Sequence, residues 1–335
     1  MTSPSHSGNT PDLLDGDHAA SLRHVLTARQ DTLWTSLRQM GGQPRTHLSL
    51  RATYVVADIM DWLAGLPAHS LHAVVTDPPY GLIEYNRKDH DKLKSGRGGV
   101  WRIPPAYDGA KRRPLPRFTV LSPDEIAELD SFFSDLGDAL LRVLVPGSHL
   151  FIASNPLLST LTFHALQRSG FEKRGELIRL VQTLRGGDRP KGAEDEFPEV
   201  CMMARSCWEP WGIFRKPFPG TAAQNLRRWG TGGLRRITND EPFKDVIVCS
   251  PTRGREREIA PHPSLKPQRF MRQVVRAALP LGVGIIYDPF AGSGSTLAAA
   301  AAVGYLAIGT DRDESYHALA RAAFGPLSAL KVGDL

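Results

Sequence analysis

Apolar and polar residues alternate along this chain in patterns that predict strands and helices in turn. Over residues 19–40, Leu22, Val25, Leu26, Leu33, Trp34 and Leu37 recur at helical spacing, and Gly41-Gly42 ends the run. The apolar face of that helix suits either the core or a partner. Residues 53–57 read as a strand closed by Asp58, and a short amphipathic segment follows over 59–66. Leu71-His72-Ala73-Val74-Val75-Thr76 is apolar and β-branched, the pattern of a buried strand. Ser122-Pro123-Asp124-Glu125 opens a helix to about residue 144, with proline in its first turn and acids after it. Pro146-Gly147 turns the chain into a strand at 149–153, and a helix over 158–169 ends at Gly170. Further strands are predicted at 176–182 and 199–204. Near the C-terminus, residues 284–288 form a strand ending in Asp288. An alanine-rich helix over 297–303 is stopped by Gly304, and a strand over 305–310 ends at Asp311. Strands alternating with helices are the signature of an α/β fold built on a parallel sheet.

Composition narrows the class. A chain of 335 residues with 41% hydrophobic content holds one large or two modest domains with a real core. No apolar run approaches the ~18–20 residues that span a bilayer. The first residues, Met1-Thr2-Ser3-Pro4-Ser5-His6, carry no apolar signal region, which points to a soluble, cytoplasmic protein with no membrane partner. Residues 1–16 are rich in Ser, Pro, Gly and Asp, the composition of a disordered tail. Cys201, Cys207 and Cys249 have no paired spacing, so neither a disulfide framework nor a metal site is expected.

The chemistry gathers at two places. Asp77-Pro78-Pro79-Tyr80 follows the strand at 71–76. The prolines stop the strand and remove two backbone donors, and the first restricts Asp77 towards extended geometry. A carboxylate, free carbonyls and an aromatic ring thus collect at the carboxyl end of a strand, where open α/β sheets bind ligands. Asp77 and the Pro78 carbonyl suit the two hydrogens of an exocyclic amino group, and Tyr80 suits stacking on a base drawn out of a duplex. An ordinary strand-ending turn has the same dipeptides. The second place is Pro289-Phe290-Ala291-Gly292-Ser293-Gly294-Ser295-Thr296, a glycine loop between strand and helix, with Asp311 nineteen positions after Gly292. Such glycines admit the close approach of an adenosine-containing cofactor, and such an acid holds ribose hydroxyls. No Gly-Lys-Ser/Thr and no third glycine follow, so a cofactor without phosphates fits better than a nucleotide.

Charge is uneven. The net +6 comes from 41 basic and 35 acidic residues. Residues 86–117 hold ten Lys/Arg, Arg112 and Arg113 among them, against three acids, with Trp101 and Tyr107 mixed in. Their place directly after Tyr80 suits a loop closing on DNA, and a solvated loop has the same composition. Residues 205–237 hold seven basic residues, including Arg227, Arg228, Arg235 and Arg236, and one acid, Glu209. Trp208, Trp211, Phe214, Phe218 and Trp229 are interleaved, which suits phosphate contact with base stacking or a small core of the segment's own.

Three runs together carry a family resemblance: His262-Pro263-Ser264-Leu265-Lys266-Pro267, the Asp288 to Thr296 loop, and Gly309-Thr310-Asp311 up to Tyr316. With Asp77-Pro78-Pro79-Tyr80 placed N-terminal to the loop, they resemble the beta class of bacterial DNA amino-methyltransferases, which use S-adenosylmethionine. The specific motifs cover about residues 50–85 and 260–320. The resemblance implies a doubly wound, seven-stranded α/β sheet, mostly parallel with one antiparallel strand and circularly permuted, with an inserted target-recognition region. It divides the chain into a tail and N-terminal helix (1–48), a catalytic half (49–204), a recognition insert (205–260) and a cofactor-binding half (261–335). It implies that Asp77, Pro78, Pro79 and Tyr80 are catalytic and that Asp288, Phe290, Ala291, Gly292, Ser293, Gly294 and Thr296 wall the methionine part of the cofactor. Asp311 takes the ribose, Lys266 and Pro267 help close the pocket, and Asp58 approaches the adenine, with Asp334 as its rival. Asp311 stands where many relatives have Glu, and the usual Trp-x-Lys is absent around residues 178–183.

The function expected from this resemblance is methyl transfer to an amino group of double-stranded DNA, with no metal needed. Adenine-N6 is preferred over cytosine-N4, because the motif starts with Asp where the cytosine enzymes more often have Ser. The rivals are methylation of RNA or of a protein amide, and a catalytically inactive DNA-binding subunit. The basic-aromatic segments oppose the first and the intact Asp77 and glycine loop the second. A restriction endonuclease or other defence partner and a homodimer are compatible with the resemblance.

Overall fold

The structure is a computed structural model that describes residues 15–40, 44–79, 106–107, 110–111, 121–181, 189–190, 192–202, 204, 207–252, 254–262 and 265–332. The tail at 1–14, Tyr80, Arg112, Arg113, Asp334 and most of the basic stretch at 86–117 lie outside the described residues. In chain order the elements are α1 (Asp15–Leu37), β1 (Arg45–His47), β2 (Ala52–Val56), α2 (Ile59–Gly65), β3 (Leu71–Thr76), β4 (Ala106–Tyr107) and β5 (Ala110–Lys111). There follow α3 (Pro123–Val143), β6 (Leu144–Ala153), α4 (Ser159–Arg168), β7 (Glu172–Leu180), β8 (Trp208–Arg215), α5 (Ala222–Trp229) and β9 (Val246–Val248). The C-terminal part is α6 (Arg255–Ile259), α7 (Gln268–Ala278), β10 (Ile285–Asp288), α8 (Ser295–Ala302), β11 (Leu306–Asp311) and α9 (Glu314–Ser328).

The main sheet has the order β1-β2-β11-β10-β3-β6-β8-β7-β9. Its central seven strands, β2 to β7, are the expected doubly wound sheet. All are parallel except β8, which pairs antiparallel with β6 and β7. The short strands β1 and β9 extend the two edges. Alternation along a strand feeds two cores. In β3, Ala73 and Val75 face α7, α8 and α9, whereas Leu71 and Val74 face α1 to α4. On the first face lie Phe270, Val274, Leu297 and Phe324. On the second lie Trp34, Leu37, Leu63, Phe133, Leu140 and Phe163. The N-terminal helix α1 therefore packs on the core through Trp34 and Leu37, and Trp34 Nε1 donates to the Leu50 carbonyl at 3.0 Å.

Three expectations are corrected. The strand predicted at 199–204 does not form: Glu199 to Met202 are irregular, and Val200 and Met202 are exposed. Pro146-Gly147 does not end an element. Leu144 caps α3 and begins β6, and the two residues lie in an irregularity of the β3–β6 register. The largest correction concerns residues 205–260. They are not a separate recognition insert, because Trp208–Arg215 is a buried strand in the middle of the main sheet. Pro210 lies just beyond the end of the β6 pairing, so its missing N–H breaks no bond with β6. Gly212 is needed for room, since a Cβ there would sit 2.8 Å from the Phe163 ring.

Candidate active site

Four neighbouring strands bring an aspartate each to the carboxyl edge of the sheet. In sheet order β2, β11, β10 and β3, these are Asp58, Asp311, Asp288 and Asp77. All four line a cavity of about 700 Å³, within the range of small-molecule sites. Asp58 caps α2, accepting from the Met60 amide at 2.8 Å and the Asp61 amide at 3.3 Å. Asp77 follows β3, with Pro78 and Pro79 beside it in the lining. Its Oδ2 lies 2.8 Å from Lys266 Nζ. Helix α3 contributes Glu128, Phe132 and Phe133, and Tyr316 of α9 packs edge-on to His262 at 4.7 Å between centroids.

The glycine loop is tied down from both sides. Thr76 Oγ1 donates to Asp288 Oδ1 at 2.7 Å, and the Phe290 amide donates to the same oxygen at 3.1 Å. The Gly292 amide donates to Asp311 Oδ2 at 3.0 Å, while Asp311 Oδ1 accepts from the Asp313 amide at 3.0 Å. Tyr54 holds the Gly292 carbonyl at 2.9 Å. Gly292 and Gly294 have φ of 47° and 80°, the left-handed region that favours glycine. Gly294 caps α8 without a side-chain bond of its own. Asp288, Phe290, Ala291, Gly292, Ser293 and Thr296 line the cavity. Gly294 and Pro267 shape it from behind, as helix caps of α8 and α7.

Electrostatics select the guest. Six acids line the cavity (Asp58, Asp77, Glu128, Asp288, Asp311 and Asp313) against two fixed cations, Lys266 and Arg312. His262 adds no charge at neutral pH, because burial and then Lys266 push its pKa down to about 4. Burial pushes Asp288 up to about 6, with bonds from Thr296, Thr76 and the Phe290 amide opposing the rise. Burial also raises Asp311, which the Asp313 and Gly292 amides partly offset. A site of this sign attracts a cation and repels phosphates. Among the described residues no group of His, Cys, Asp and Glu is arranged to hold a metal ion, and no helix is long and apolar enough to cross a membrane.

The arginines assigned to DNA contact fall elsewhere. Arg227 and Arg228 are exposed on α5, whose Asn225 donates to the Pro146 carbonyl near the start of β6. Trp229 packs against His69, just before β3. Arg235 donates to the Tyr305 hydroxyl at 2.6 Å, just before β11. Arg236 holds the Asn239 and Asp240 carbonyls at 2.9 and 2.8 Å. All four therefore belong to the amino-terminal edge of the sheet. The six residues of β3 separate that edge from the cavity by about 20 Å. Their assignment as base readers is corrected on this ground. Arg112 and Arg113 lie outside the described residues. Composition alone also left Thr76, Tyr54, Glu128, Phe132 and Glu209 unmarked. Glu209 did have a signal, as the one acid in a basic stretch.

Comparison with known proteins agrees with this geometry. The Type II methyltransferase M.HindIII of Haemophilus influenzae is 26% identical over 285 residues, which cover 76% of this chain and 89% of that protein. The PvuII DNA methyltransferase, cytosine-N4-specific, has a similar fold, with a TM-score of 0.54 and 13% identity over 85% of this chain and 88% of that one. A DNA modification methylase of Thermus thermophilus, TTHA0409, complexed with S-adenosyl-L-methionine, matches with a TM-score of 0.50 and 20% identity over 83% of this chain and 94% of that one. The family model described as DNA methylase, of the N6/N4 class, matches residues 71–322. This span runs from the strand before Asp77 to beyond the cofactor loop and Asp311, and the chain belongs to that DNA methylase family.

Proposed function

We propose that this protein methylates the exocyclic amino group of a base flipped out of double-stranded DNA, with adenine-N6 as its target. It is a DNA amino-methyltransferase, and its cofactor is S-adenosylmethionine. The observation that carries the site assignment is the row of Asp58, Asp311, Asp288 and Asp77 along one edge of the sheet, around one acidic cavity. The donor set fits a sulfonium cofactor, because six acids and the loop glycines leave room for a cationic, phosphate-free guest. Asp58 would meet the adenine, Asp311 the ribose, and Asp288 with the Phe290 to Thr296 loop the methionine part.

When bound, the cofactor supplies an electrophilic methyl group on a positively charged sulfur. The chain's own residues prepare the nucleophile. Asp77 accepts one amino hydrogen and the Pro78 carbonyl the other, which draws the nitrogen lone pair out of conjugation and aims it at the cavity. The carbon–nitrogen bond forms as the carbon–sulfur bond breaks, and the surplus proton leaves the nitrogen towards Asp77 and solvent. Holding the two reactants in line supplies most of the rate. Phe132 and Phe290, whose rings lie 6.2 Å apart, help exclude water beside the loop. Support for adenine is the Asp at position 77, where cytosine enzymes more often carry Ser. DNA would approach the carboxyl edge, where the basic stretch at 86–117 follows Pro79.

The test is to incubate the protein with duplex DNA and isotopically labelled S-adenosylmethionine, digest the DNA to nucleosides and separate them by mass spectrometry. Label in N6-methyladenine is expected. Label in N4-methylcytosine would replace the adenine reading, and no label in DNA would overturn the substrate.

A further inference from the structure

A chain of alternating charges runs along the carboxyl edge behind Asp77. Lys266 Nζ lies 2.8 Å from Asp77 Oδ2 and 3.4 Å from Glu209 Oε2. The same Glu209 oxygen lies 3.3 Å from Arg179 Nη1. Glu209 Oε1 accepts from Trp211 Nε1 at 2.7 Å, and Arg179 Nη2 donates to the Ser250 carbonyl at 3.0 Å. Arg179 also lies over the Phe270 ring, 5.5 Å from its centroid. The side chains are little exposed: Arg179 5%, Lys266 9%, Glu209 16% and Asp77 17%. The groups come from β3, the segment before α7, β8, β7 and the segment after β9. The network thus stitches together parts of the chain far apart in sequence.

The arrangement has a directional logic. A lysine ammonium is a compact charge on a flexible stem, and by itself it does not fix the rotation of a carboxylate. Here the ammonium is held from a second side by Glu209. Glu209 is itself fixed at both oxygens, by the Trp211 indole on one and by Arg179 and Lys266 on the other. Burial pushes the Glu209 carboxyl up, but Lys266 and then Arg179 outweigh it and hold the group below its ordinary range. Glu209 is thus an anion at neutral pH, and its indole and guanidinium partners leave it little freedom to move.

We propose that Glu209 is a positioning residue for methyl transfer: by anchoring Lys266 it sets the rotation of the Asp77 carboxylate towards the incoming amino group. Glu209 is absent from the cavity lining, so it acts through Lys266 rather than on substrate. The inference rests on the reading of Asp77 as the residue that receives the amine.

The test compares Glu209→Gln, Lys266→Met, the pair of both, and Asp77→Asn. Each is followed by single-turnover methylation of duplex DNA and by calorimetry with S-adenosylmethionine. Glutamine keeps the shape and an acceptor for Trp211 but removes the charge. We expect Glu209→Gln to lower the methylation rate about 10- to 100-fold, the range for a misplaced reacting group, with cofactor affinity unchanged. Added to Lys266→Met, it should cost nothing further, since both act through one contact. A Glu209→Gln rate equal to wild type, or a full additional loss in the pair, overturns the proposal. Normal turnover in Asp77→Asn overturns instead the reading on which it rests. Should Glu209→Gln fail to fold, Arg179→Met/Glu209→Gln removes one charge of each sign and carries the same expectation. A wild-type rate there likewise overturns it.

Discussion

At the residue scale, Asp288 is the group whose protonation the fold most plainly controls. Its folded value of about 6 lies above the ordinary 3.8, and burial is the cause. Between those values the native carboxyl keeps a proton that the unfolded one has released. Stability therefore falls as pH rises through that window, by ~3 kcal/mol in all, and is level above it. Asp288→Asn has nothing to titrate. Urea unfolding should show the variant gaining on wild type between pH 4 and 6 by up to that ~3 kcal/mol. A gap that does not change with pH would show that Asp288 is not desolvated. Gly309 belongs to the same scale. A Cβ on it would stand 2.6 Å from both Ala291 Cβ and Leu297 Cδ1. Gly309→Ala should cost ~1–3 kcal/mol by overpacking and weaken cofactor binding through Ala291, read by thermal unfolding and calorimetry. Unchanged values for both would mean that the loop can shift freely.

At the element scale, the sequence was legible wherever local signals and tertiary packing agree. The strand at Leu71–Thr76 and the helix opened by Ser122 match their predictions because alternation and capping are local. Ser122 accepts from the Glu125 amide while Glu125 reaches back, a complete capping box. The strand Trp208–Arg215 was not legible. Pro210 and Gly212 look like breakers in sequence, and only the sheet shows that one sits past the β6 pairing and the other makes room for Phe163. Its basic and aromatic residues looked like a DNA surface. In the fold, Trp211 and Phe214 are core and Arg215 pairs with Glu172 at 2.5 Å. The aspartates that end the strands were readable one by one. That they form one row was not, because it depends on strand order.

At the scale of the whole molecule, the sheet has two different ends. Its carboxyl edge carries the acidic cavity, whereas Arg227, Arg228, Arg235 and Arg236 belong to the amino edge. Replacing Arg227 and Arg228 with alanine should leave both DNA affinity and its salt dependence unchanged. Neutralising Lys or Arg residues within 86–117 should weaken binding on all sequences alike and lower the salt slope by about one unit for each phosphate left without its cation. Fluorescence anisotropy across a salt series separates the two. An effect confined to Arg227 and Arg228 would place DNA on the wrong edge for this account. The central claim is that the Asp77 end of the cavity performs the transfer while the row of Asp58, Asp311 and Asp288 holds the cofactor. The most direct measurement is single-turnover methylation of duplex DNA by Asp77→Ala at saturating labelled S-adenosylmethionine. The account predicts a rate lower by ~100-fold or more with the cofactor still bound. A rate near that of wild type would contradict it.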